Sequence, residues 1–106
     1  MLKINILLKE KKVKKIEFKG HADYNEEGLD IVCAAASSIL ITGVNGVLSL
    51  FSQSIDYKES QDLVVVDVLL NNENIDKLIA SMITLLENLE KDYPSNVKLY
   101  KEEDHD

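Results

Sequence analysis

A chain of 106 residues without a Pro/Gly/Ser-rich linker has the usual size of one domain, so a single domain over residues 1–106 is expected. Its formal charge of −7, with all 12 basic residues lysine and none arginine, argues against direct binding of nucleic acid. One cysteine excludes an internal disulfide and a cysteine-rich zinc scaffold, which makes the cytoplasm the expected compartment.

Leu2, Ile4, Ile6 and Leu8 alternate with polar residues and predict a half-buried strand, unlike the continuous apolar core of a signal peptide. Lys11 and Lys12 read as a polar turn, and Ile16 and Phe18 alternate with Lys15, Glu17 and Lys19 up to Gly20. A hairpin is expected.

Ile31 to Ile55 contains no charged residue and is long enough to cross a bilayer. Ser37, Ser38, Thr42, Asn45, Ser49 and Gln53 instead favour a core helix from about Ile31 to Leu50, capped by Asp30 and buried on most sides, with no membrane as partner. Gly43 and Gly46 each cost such a helix about 1 kcal/mol relative to alanine, which predicts close packing there against a sheet or a second subunit.

Ile55 to Lys58 and Leu63 to Leu70 predict two more strands, the second apolar enough to be central and covered on both faces. Asn72 or Asn74 caps a second helix in which Ile75, Leu78, Ile79, Met82, Leu85, Leu86 and Leu89 recur at helical spacing, and Pro94 ends it. Val97 and Leu99 suggest a short last strand, with 101–106 as a charged, mobile tail. The order ββαββαβ describes an α+β sandwich with helices packed on a mostly antiparallel sheet.

Chemistry concentrates in Gly20-His21-Ala22 and in Gly28-Leu29-Asp30-Ile31-Val32-Cys33-Ala34-Ala35-Ala36-Ser37. With Asp30 as cap, Cys33 falls in the first helical turn, where unpaired amides and the helix dipole favour a thiolate. The amides of Val32, Cys33 and Ala34 are candidates to receive an oxyanion. His21, at the end of the second strand, is placed to take the thiol proton as a general base. Each piece also has a bland role, since cysteine packs well in apolar helices and Asp30 is first of all a cap. Ser37 lies one turn beyond Cys33 and can bond either the thiol or its own backbone; Gly28 suits either a turn or the hinge of a loop that closes over a peptide. A metal held by His21, Asp23, Asp30 and Cys33 matches no familiar structural zinc spacing, so neither metal nor cofactor is expected.

The segment Gly-His-Ala followed by Gly-x-Asp-Ile-Val-Cys-Ala-Ala-x-Ser resembles the signature of the ribosomal-processing cysteine protease family, Prp. His21 and Cys33 stand at the positions of that family's catalytic pair, and the predicted element order agrees. The resemblance implies a homodimer that removes the N-terminal extension of large-subunit ribosomal protein number twenty-seven. Asp23, Glu26, Glu27 and Asp30 would attract such a basic substrate precursor. The alternative is a non-enzymatic dimeric module that binds a ribosomal protein or assembly factor through the same groove.

Overall fold

Residues 1–20 and 31–105 are described by a computed structural model. The elements run β1 (Leu2–Lys9), β2 (Lys12–Lys19), α1 (Ile31–Leu50), β3 (Ile55–Ser60), β4 (Leu63–Val68), α2 (Glu73–Asp92) and β5 (Val97–Asp104). This is the expected ββαββαβ order, and α1 has the expected limits.

The strands form one sheet in the order β3-β4-β2-β1-β5. Three neighbouring pairs are antiparallel and β1 with β5 is parallel, which makes the sheet mixed. The same registers make β2 parallel to β3, and β4 parallel to β5. Each helix therefore joins two parallel strands. The two crossovers run toward opposite edges from strands of opposite direction, so connections of one hand put both helices on the same face.

That face is the core. Ile4 and Ile6 of β1, Ile16 and Phe18 of β2, and Val66 and Val68 of β4 are buried beneath Val32, Ala36, Leu40, Val44 and Val47 of α1 and Ile75, Ile79, Met82 and Leu86 of α2. The opposite face bears Asn5, Lys15, Glu17 and Asp67, and a Lys15–Asp67 ion pair at 3.7 Å crosses it. Coverage of β4 on both faces is thus corrected: Leu63 and Val65 lie half-buried on the open side, and the strand ends at Val68, leaving Leu69 and Leu70 exposed. An apolar run marks an interior strand without showing how many layers pack on it.

Helix α1 corrects a second expectation, because it is buried along one stripe and not on most sides. Ile31, Ile41 and Leu50 are exposed. Although α1 has the length and composition of a membrane span, its stripe is engaged by the core. Gly43 supports α2, not the sheet: a Cβ there would lie 2.4 Å from Met82 Sδ. Gly46 has open space beside it, so among the described residues the sheet does not pack against it.

Helix α2 starts as its sequence requires, with Asn72 Oδ1 accepting from Ile75 N at 2.8 Å and with Glu73 and Asp76 at the positive end of the dipole. Tyr93 caps the other end before Pro94. The last strand is longer than expected: Lys101–Asp104 continues β5, and Lys9 pairs with Asp104.

The first hairpin turns on Glu10 and Lys11, with φ of 54° and 66°, so Lys12 is the first residue of β2 and not part of the turn. Farther along, Leu7 pairs with Lys15 while Leu8 pairs with Val13, which leaves Lys14 as a bulge. Without the bulge Lys14 would face Leu8 on the covered side; with it, Val13 packs there and Lys14 bonds Asn71.

Two consecutive non-glycine residues in left-handed geometry are costly, whereas Asn-Gly suits such a turn. Replacing Glu10-Lys11 with Asn-Gly is expected to stabilise the protein by about 1 kcal/mol, read as a higher urea midpoint at unchanged slope. An unchanged midpoint would mean that the native pair carries no strain.

Candidate functional site

Cys33 is the third residue of α1, directly after Val32, the first residue of the buried stripe. Val32 is 1% exposed and anchors the helix start, Ala34 is exposed, and Cys33 between them is half-buried against the core cluster. Its thiol is not in a disulfide.

In an α-helix that begins at Ile31, the N–H groups of Ile31, Val32 and Cys33 have no carbonyl partner within the helix, whereas that of Ala34 is the first placed for an i to i−4 bond. Val32, Cys33 and Ala34 are the second to fourth residues of α1. Among the described residues, no acidic side chain stands in that turn. Ser37 is one turn along on the same side of the helix and is half-buried.

The end of β2 lies at the same end of the molecule. Lys19 pairs with Leu63, and Gly20 N donates to Asp62 O at 3.0 Å, which ties the residue before His21 to the β3–β4 turn. Helix α1 returns into β3 through a short turn closed by Ser54 N to Phe51 O at 3.3 Å, so the start of α1 lies toward that same β3–β4 turn. His21, Gly28 and Asp30, with the acidic positions Asp23, Glu26 and Glu27, lie outside the described residues. So do the expected cap of α1 and three members of the metal alternative.

Gly20 is the residue whose role the motif alone did not reveal. Its φ is +86°, and a Cβ would come within 2.8 Å of Met1 O. Only glycine fits this close crossing of the chain start over the end of β2. A glycine directly before a candidate histidine was the available signal, but the neighbour that demands it is remote in sequence.

Residues 1–98 match the model of the family described as cysteine protease Prp. A ribosomal processing cysteine protease Prp from Staphylococcus aureus is 32% identical over 103 residues, covering 93% of this chain and 97% of that protein. Its namesake from Bacillus subtilis is 32% identical over 100 residues, covering 85% and 87%. The fold superposes on a crystal structure of the Staphylococcus aureus protease carrying a covalently linked product peptide, with TM-score 0.89 and 29% identity over 96% of this chain and all 100% of that one. A second crystal structure of that protease, with a substrate peptide, gives TM-score 0.85 at 28% identity, again over 96% and 100%.

Gly20→Ala forces a side chain into left-handed geometry and against a carbonyl, and is expected to cost about 1–2 kcal/mol in a thermal melt. An unshifted melt would mean that the chain start yields freely. At pH 7 iodoacetamide is expected to modify Cys33 in the native protein faster than it modifies free cysteine, because the helix start favours the thiolate. Reaction only after denaturation would instead mark a packing residue.

Proposed function

Because this chain belongs to the Prp family of ribosomal-processing cysteine proteases and is itself a cysteine protease, we propose that Cys33 is its nucleophile and His21 the general base. The observation that carries this assignment is arithmetic: the chemistry requires a cysteine and the sequence has only 1. Its position in the first turn of α1 supplies the physical reason that it can react.

In the first half-reaction His21 takes the proton from Cys33 Sγ, and the thiolate attacks the carbonyl carbon of the scissile bond. Amides among Val32, Cys33 and Ala34 stabilise the oxyanion, and the imidazolium returns its proton to the leaving amine as the C–N bond breaks. Water, deprotonated by His21, then attacks the thioester, and the sulfur leaves as thiolate to regenerate the enzyme. The covalently linked product peptide in the Staphylococcus aureus relative is consistent with a covalent route here.

The substrate is the precursor of large-subunit ribosomal protein number twenty-seven, from which the enzyme removes an N-terminal extension. A net charge of −7 suits encounter with a basic ribosomal protein. The enzyme works in the cytoplasm as a homodimer, without cofactor, membrane or direct nucleic-acid contact. Exposed Leu69, Leu70, Leu78 and Leu85 support self-association, since large apolar side chains left outside the core mark contact surfaces. In this reading Asp30, Ser37 and Gly28 are supporting residues of the pair.

The test is incubation with the precursor from the same organism and determination of the new N-terminus by mass spectrometry. His21→Ala is expected to slow cleavage at least about a hundredfold with the fold retained, the typical loss for a general base. Near-normal turnover would remove His21 from the mechanism, and an uncut precursor would remove the substrate.

A further inference from the structure

Glycine has the widest choice of φ and ψ, so a glycine directly before a reacting side chain leaves that side chain loosely placed unless neighbouring groups restrain it. Two contacts restrain Gly20. Its N–H donates to Asp62 O at 3.0 Å, one step beyond Lys19 with Leu63, the last pair of β2 and β4. Its Cα lies beside Met1 O, which a Cβ would approach to 2.8 Å. Met1 is held in turn, because Leu2 is buried and Leu2 N donates to Asn96 O at 2.9 Å.

Peptide planarity carries this restraint one residue forward. Cα, C and O of Gly20 share a plane with N and Cα of His21, so ψ of Gly20 is the single soft torsion between the pinned atoms and His21 Cα.

Asp62 is itself unusual. Its φ of 64° is in the left-handed region, which residues other than glycine seldom occupy. The two-residue turns that match the twist of a hairpin have a positive φ at their first central residue, and Gln61 lies outside that region. Hairpin twist therefore does not select this geometry. A strained backbone persists where surrounding contacts hold it, and the contact made here is the bond from Gly20.

We propose that Asp62, through its backbone carbonyl, is a positioning residue that holds the Gly20 peptide and so sets the reach of His21 toward Cys33. The inference rests on His21 as the general base. The carbonyl acts, not the carboxylate. Glycine and asparagine accept left-handed geometry and preserve the function at position 62, whereas a β-branched residue does not and displaces the carbonyl.

The test compares precursor cleavage by Asp62→Val, Asp62→Gly and Asp62→Asn, and by Asp62→Val combined with His21→Ala, while NMR follows hydrogen exchange of the Gly20 amide. Asp62→Val is expected to speed that exchange, to lower kcat at least about tenfold with KM within about twofold of wild type, and to add no further loss in the His21→Ala background. Asp62→Gly and Asp62→Asn are expected to keep kcat within about twofold. Should Asp62→Val melt below the assay temperature or leave the exchange unchanged, a chain with glycolate in place of Gly20, which lacks only the N–H, takes its place in the same comparison. A loss in Asp62→Asn equal to that in Asp62→Val would assign the effect to the carboxylate, and a loss undiminished in the His21→Ala background would place it away from His21; either overturns the proposal. Full kcat despite faster exchange at Gly20 also overturns it, and a slow His21→Ala enzyme then leaves the base assignment standing. Near-normal turnover of His21→Ala removes the base, and the positioning role falls with it.

Discussion

The stripe Val32, Ala36, Leu40, Val44 and Val47 on α1, pressed against one face of the sheet, is the contact on which the rest depends. A helix start is useful for chemistry only if it is held at a fixed rotation. Moving the stripe by one residue turns the helix by about 100°, which would bury the thiol or swing it into solvent. The half-exposure of Cys33 is thus decided by leucine and valine packing one to four turns away. Val32, next to the thiol and almost completely buried, is the nearest member of that anchor.

The sheet face beneath the stripe has to be flat and apolar, and two local departures from regular structure keep it so. The bulge at Lys14 removes a lysine from the covered side and lets Val13 meet Leu8. Gly43 lets Met82 of α2 approach α1 closely, so the two helices share one layer instead of standing apart. Gly20 acts similarly at the end of β2, where Met1 crosses the chain just before His21. In each case one residue accepts a local cost so that a larger apolar surface can close.

Putting both helices on one side leaves the other side of the sheet polar. The edge strand β3 and the helix that leads into it run antiparallel, with a cavity of about 350 Å³ between Ile41, Val44, Asn45 and Leu48 of α1 and Tyr57 and Glu59 of β3. Charge is carried mainly at the surface, where pairs such as Lys77 with Glu73 at 3.0 Å are exposed and contribute little to stability.

The amino-acid sequence by itself determined the element order and the limits of α1, and narrowed the cap of α2 to Asn72 or Asn74, because apolar spacing and capping chemistry are local; the structure chose Asn72. It also determined that any catalytic thiol is Cys33, since there is no other cysteine. Tertiary structure alone decided which face of β4 is covered, that α1 is buried on one stripe, that Lys101–Asp104 is a strand, and that Gly20 must be glycine. Those features arise between residues distant in the chain. Strand β5 is mostly exposed and shows little apolar alternation, so its far end exists as a strand only through pairing with β1. Likewise Gly20 reads as an ordinary turn residue until Met1, from the other end of its hairpin, passes within contact of it. Local pattern records burial preference, whereas partners, register and close crossings come from the folded chain meeting itself.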